Sequence, residues 1–140
     1  MHKTAPAPRL GIALIMTDHG RVLVGRRCNS PMPGSWQLPG GWLHYRESPE
    51  QAVNRLQGAF VGLQCTPARL VSQTSNLFEH GLHSVSLYYQ MECINGAQVD
   101  LQLNKDCSDW MWANWYDLPQ PLFLPLELLK QSNFTPLTRE

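Results

Sequence analysis

The stretch that most restricts this fold runs from Leu38 to Leu63, LPGGWLHYRESPEQAVNRLQGAFVGL, and reads as a tight glycine turn, a short loop and one amphipathic helix. Ser48 is suited to cap the helix, Pro49 to its first position and Glu50 to its positive end, while Gln51 completes an S-x-x-Q capping box. Gly62 supplies the expected stop. Ala52, Val53, Leu56, Ala59, Phe60 and Leu63 recur at three- and four-residue spacing, so they form one apolar stripe that must be buried against something. Gly58 inside the helix weakens it by about 1 kcal/mol relative to alanine.

The segments on either side read as strands. Leu10 to Met16 is an aliphatic run, Thr17 to Gly20 has turn chemistry, and Arg21 to Arg27 alternates as a hairpin partner. Cys28 to Ser35 is a proline- and glycine-bearing loop, and Trp36 to Leu38 forms a brief strand before Pro39-Gly40-Gly41, where the glycines suit a sharp turn lying close to a ligand. Beyond the helix, Pro67 to Ser75 and His83 to Cys93 read as strands around a loop at Phe78 to Gly81. Asn95-Gly96 signals a hairpin that returns through Gln98 to Leu103. Asn104 to Asp109 is expected as loop, Trp110 to Trp115 as an aromatic strand, and Pro125 to Gln131 as a second helix. This order predicts an α+β fold, a mixed sheet packed between helices.

The chain has 140 residues, of which 43% are hydrophobic, enough for a single core. We expect a disordered leader over 1–8, one domain over 9–134 and a tail over 135–140. Eleven basic and eleven acidic side chains cancel, so no broad positive field is offered to nucleic acid or an anionic membrane. Cys28, Cys65, Cys93 and Cys107 lack metal-binding spacing and are expected as reduced thiols. With no signal segment and no run of ~18 apolar residues, a cytoplasmic location is expected. The composition is compatible with a homodimer.

The spacing of Gly41, Glu47, Arg55 and Gly62-Leu63 resembles the Nudix box, G-x5-E-x7-R-E-U-x-E-E-x-G-U with U aliphatic, at five of its nine specified positions. The mismatches fall on the chemistry: Leu56 follows the arginine where glutamate belongs, Gln57 stands at an aliphatic position, and Ala59 and Phe60 replace the glutamate pair. The resemblance to the Nudix hydrolase superfamily, which includes MutT-like proteins, implies a sheet sandwiched by helices and a nucleoside diphosphate derivative as substrate. It also implies helix carboxylates holding Mg²⁺, which polarises the diphosphate and activates water. Leu, Ala and Phe offer no lone pair, so the resemblance implies a degenerate box with weak or absent Mg²⁺ binding and no metal ligand from the helix. The box is also partly similar to that of the GDP-mannose mannosyl hydrolases, which have Leu after the arginine and Ala at the first position of the pair. That branch keeps the last glutamate and a loop histidine. Phe60 stands at the former, and Lys105 to Asp109 contains no histidine.

From these residues the expected reading is a Nudix-like protein that binds a nucleoside diphosphate derivative or nucleotide sugar, with Mg²⁺-dependent pyrophosphohydrolase activity impaired or lost. Glu47 and Arg55 are the surviving box residues at the catalytic position, and His80 is the candidate for acid-base work within the Glu79, His80 and His83 loop cluster. Trp36, Gly40, Gly41, Phe78 and Phe60 are the candidate substrate-binding residues, the aromatics as stacking surfaces. Two alternatives remain open at this stage. One is an active hydrolase of altered mechanism using Glu79, His80 or Asp106. The other is a non-enzymatic interaction module presenting Leu56 and Phe60 to a partner.

Overall fold

The structure, a computed structural model, describes residues 6–136. It contains seven strands: β1 (Arg9–Asp18), β2 (Arg21–Arg27), β3 (Trp36–Gln37), β4 (Gly40–Trp42), β5 (Arg69–Leu77), β6 (His83–Glu92) and β7 (Cys107–Asn114). Two helices accompany them, α1 (Pro49–Gly58) and α2 (Leu124–Gln131). The strands make one mixed sheet in the order β3-β2-β1-β6-β5, with β4 added to β1 and β7 to β2. β1 and β6 run parallel from Arg9↔Ser84 to Thr17↔Glu92, and the other pairings are antiparallel.

β1 is apolar on both faces because both faces are covered. Ile12, Leu14 and Met16 join Leu23, Tyr89, Met91 and the α1 residues Ala52, Val53 and Leu56 in one core, to which Phe60 and Leu63 also belong. Ile15 joins Val22, Val24, Trp36, Tyr88, Trp115 and the α2 residues Leu126 and Leu129 in the other. The period-two alternation of β1 thus assigns successive side chains to opposite layers. This is the α+β sandwich expected from the sequence.

His19 and Gly20 both have positive φ, 51° and 77°, as a two-residue hairpin turn between Asp18 and Arg21 demands. Beyond that turn the hairpin opens. β1 pairs with β2 only at Thr17 and Asp18, and farther along with β4 at Gly11 to Ala13. β2 correspondingly takes β3 at Gly25 and Arg26. The β3–β4 segment is therefore a wedge between two splayed strands, pinned by Leu14 N–H to Pro39 O at 2.8 Å and Leu43 N–H to Leu10 O at 2.9 Å.

Several expectations need correction. Gly40 and Gly41 are strand residues, not a turn. A Cβ on Gly40 would lie 2.5 Å from Ile12 O, so glycine is needed for the close approach of β4 to β1. Gln98 to Leu103 does not form a returning strand, and the chain instead makes two 3-10 turns, Gly96–Gln98 and Leu101–Leu103. Asn95 has φ −137°, outside the conformation of a tight hairpin. Its side chain accepts from Gln64 N–H and donates to Gly62 O, each at 2.8 Å. That tether to the turn after α1 replaces the hairpin. β7 begins at Cys107, inside the expected loop. α1 ends one turn before Gly62, which adopts φ 85° in the turn that follows. Residues 1–5 of the expected leader and 137–140 of the expected tail lie outside the described residues.

Candidate functional site

The capping box at the start of α1 is complete: Ser48 Oγ accepts from Gln51 N–H at 3.1 Å and Gln51 Oε1 from Ser48 N–H at 2.8 Å. This fixes the helix relative to the preceding loop and carries Arg55 back over it. Arg55 grips Glu47 with two donors, Nε to Oε2 at 2.8 Å and Nη2 to Oε1 at 2.9 Å. Nη2 also reaches Trp42 O at 3.0 Å, and His44 N–H donates to Glu47 Oε1 at 3.0 Å. Strand end, loop and helix are thereby joined through one carboxylate. The Arg55 guanidinium, followed by the His44 N–H, holds the Glu47 carboxyl down at about 2, against an ordinary 4.5.

At the three positions where the box has glutamate after the arginine, 56, 59 and 60, the helix offers no oxygen ligand. Leu56 and Phe60 are 8% and 2% exposed, and Phe60 meets Trp110 edge to face with centroids 4.9 Å apart. Ala59 is exposed but has no donor atom. Phe60, expected at the substrate surface, is core, and burial also removes Leu56 and Phe60 as a surface for a partner protein. Trp36 is likewise core, 8% exposed, with its backbone tied to Pro121 O at 2.9 Å and to Phe123 N–H at 2.8 Å. His80 is exposed at φ 63° in the turn between β5 and β6. His83 contacts Ser75 Oγ at 3.0 Å, and Asp106 is exposed at the mouth of β7. Among the described residues no three His, Cys, Asp or Glu side chains converge as a metal site.

A cavity of about 200 Å³ opens where the β1–β2 hairpin is wedged apart. Gly11 to Ala13, Gly40, Gly41 and Trp42 form one wall, Arg27 and Gln37 a second, and Phe78, Leu82 and Phe123 a third. Arg27 lies 4.0 Å above the Phe123 ring, and Phe123 packs on Phe78 with centroids 5.5 Å apart. The guanidinium also donates to Gln37 Oε1 at 2.6 Å and to the carbonyls of Ser30 and Pro31 at 3.0 and 2.9 Å. Desolvation lowers its pKa. Of the expected substrate-binding residues, the structure brings together Gly40, Gly41 and Phe78.

The cavity floor is polar and comes from β6. Ser84 and Ser86 are 4% and 8% exposed, and Asn76, which reaches their Oγ atoms at 2.9 and 3.0 Å, is fully buried. Asn76 continues to Thr74 at 2.8 Å, Thr74 to Tyr88 at 2.7 Å, and Tyr88 donates to Pro125 O at 3.0 Å. Burial pushes the Tyr88 phenol up to about 12. Arg27, Asn76, Ser84, Ser86 and Phe123 were not anticipated from the sequence. The polar residues spaced two apart, Asn76 with Thr74 and Ser84 with Ser86, were the one available signal, and alternation alone assigns such residues to solvent.

The cavity lies on the α2 side of β6, with Tyr88, whereas Tyr89 and Met91 face α1. The two sides meet at β4, where a Cβ on Gly41 would lie 3.0 Å from the Leu56 side chain.

Against known proteins, the NUDIX domain profile matches residues 6–136. The RNA pyrophosphohydrolase of Ectopseudomonas mendocina is 28% identical over 143 aligned positions, covering 89% of this chain and 87% of that protein. The MutT NUDIX hydrolase from Burkholderia pseudomallei superposes with a TM-score of 0.78 at 27% identity, over 90% of this chain and 98% of that one. The NUDIX domain of Shewanella oneidensis NrtR, solved with ADP ribose, gives 0.66 at 26% identity, over 92% and 88%. Among the described residues no helix is long and apolar enough to cross a membrane.

Proposed function

The chain belongs to the Nudix family, and from that premise we propose that it binds a nucleoside diphosphate derivative or nucleotide sugar while Mg²⁺-dependent pyrophosphohydrolase activity is impaired or lost. The observation that carries this reading is the set of side chains at 56, 59 and 60: two are built into the core and the third is a methyl group. Mg²⁺ requires several oxygen ligands in near-octahedral array. The single box carboxylate, Glu47, is already neutralised by Arg55 and His44 N–H. The donor set at the box therefore does not fit the family's metal.

Binding is supported by the cavity. Its volume, about 200 Å³, is below the ~300–1,000 Å³ that encloses a whole drug-sized ligand. It suits one ring system of a larger molecule. Phe78 and Phe123 supply apolar faces, and Ser84, Ser86 and Arg27 supply hydrogen-bonding specificity. The NrtR domain solved with ADP ribose makes that compound the first ligand to test. The near-balance of charge favours a small molecule over a nucleic acid strand.

Isothermal calorimetry with ADP-ribose and a nucleotide-sugar panel should give binding that Ser86→Ala weakens at least ~10-fold, the scale of one lost buried hydrogen bond. The same panel with Mg²⁺ or Mn²⁺ should show no turnover. Robust metal-dependent hydrolysis would overturn the catalytic half of this reading, and a folded protein binding none of the panel would overturn the binding half.

A further inference from the structure

Cys65 and Cys93 stand opposite each other in an antiparallel bridge between the segment after α1 and the end of β6. The flanking bonds run from Thr66 N–H to Glu92 O at 2.8 Å and from Ile94 N–H to Gln64 O at 3.0 Å. Neither bond involves the amides of the two cysteines, so this is a non-hydrogen-bonded pair, the closer of the two antiparallel arrangements, with Cα atoms ~4.5 Å apart as a rule. That separation falls within the range a disulfide spans, ~4.4–6.8 Å. The thiols already face each other, Sγ to Sγ at 3.0 Å. Their exposure is unequal: Cys65 is half-buried, whereas Cys93 is 3% exposed and part of the α1 core. A reagent from solvent therefore meets Cys65 first.

We propose that Cys65 and Cys93 constitute a reversible dithiol site that closes to an intramolecular disulfide by exchange with a low-molecular-weight disulfide, Cys65 being the attacking thiol and Cys93 the resolving one. The Cys65 thiolate attacks one sulfur of the small disulfide. The S–S bond breaks, a small thiolate leaves and takes up a proton, and a mixed disulfide remains on Cys65. Cys93 then loses its proton and attacks the Cys65 sulfur, forming the Cys65–Cys93 bond and releasing the second small thiol. Two protein thiols are oxidised and one small disulfide is reduced to two thiols. The hydrogen bond between the pair lowers Cys65 and raises Cys93, burial reinforcing the latter, which agrees with this order of attack. The bond would tie the turn carrying Leu63 and Gln64 to the sheet.

Cys28 is exposed, so the test uses a Cys28→Ser background to prevent pairing between molecules. Folded protein incubated with oxidised glutathione should lose two of the three remaining thiols, fall in mass by two hydrogens and yield a Cys65–Cys93 peptide in non-reducing digests. Its melting temperature should rise by several degrees and return on reduction. In Cys65→Ser on the same background, Cys93 should stay unreactive until the protein is unfolded, and circular dichroism would establish that this variant is folded. A stable mixed disulfide on Cys65 that Cys93 never resolves, or no reaction at Cys65, would overturn the proposal. So would a linked peptide that appears only after denaturation.

Discussion

Phe60 is the residue whose replacement separates a packed core from a wet catalytic helix. Truncation to alanine removes a side chain that is 2% exposed and in edge-to-face contact with Trp110. Such a change costs about 3–5 kcal/mol, aromatic contact and residual cavity included. For a domain of this size that corresponds to a fall in melting temperature of roughly 10–20 °C. Phe60→Glu adds the burial of a carboxyl group. It must take up a proton near neutral pH to stay inside, as buried glutamates with pKa values of ~8–9 do. At about 1.4 kcal/mol per unit this adds several kcal/mol, and the sum approaches the ~5–15 kcal/mol that holds a domain together. Ala59→Glu, on the exposed side of the same turn, should stay within ~0.5 kcal/mol. Differential scanning fluorimetry of the three variants, with hydrolysis assayed in Mn²⁺, measures all of this. If Phe60→Glu melted within about 5 °C of the parent and hydrolysed a nucleotide substrate, position 60 would face a solvated cleft and the reasoning would fail. Restoring three glutamates together is for the same reason a test of stability before it is a test of catalysis.

Gly58→Ala should stabilise by about 0.5–1 kcal/mol in urea titration, because nothing lies within 4 Å of the added Cβ. Gly40→Ala should destabilise by about 1–3 kcal/mol, since its Cβ would press on Ile12 O at 2.5 Å. Folding lowers the Glu47 carboxyl from 4.5 to about 2, so its contribution is complete above pH 4.5 and disappears as pH falls toward 2. Melting curves of wild type and Glu47→Gln should therefore converge through that window and differ above it. Tyr88→Phe removes the buried phenol's hydrogen bonds to Thr74 and Pro125 O, and should cost about 1–3 kcal/mol in chemical denaturation.

The sequence made local features legible. The Asp18-His19-Gly20 turn and the Ser48–Gln51 capping box each rest on residues within a turn of one another, and both are found in the structure. The layered α+β fold followed from strands flanking one striped helix. Features fixed by distant partners were not legible. Asn95 looked like a hairpin residue because its tether to Gly62 and Gln64 exists only once the sheet has formed. Phe60 could be placed in a core or in a cleft by its spacing, and only Trp110, from another strand, decides between them. The polar cavity floor inverted the usual rule, since Ser84 and Ser86 alternate with Val85 and Leu87, and Thr74 and Asn76 sit in a polar run, yet all four are buried. Arg27 and Phe123, which meet at the cavity, come from opposite ends of the chain.

Because the hairpin splays to admit β3 and β4, the cavity opens toward one helix while the box helix covers the reverse of the sheet. The strands thus act as a partition with two separately maintained compartments, touching at a strip of glycine. Leu56 and Phe60 fill the compartment under α1, whereas Tyr88 and Leu126 belong to the other. Under the function proposed above, the first compartment can lose turnover while the second keeps its shape for a ligand.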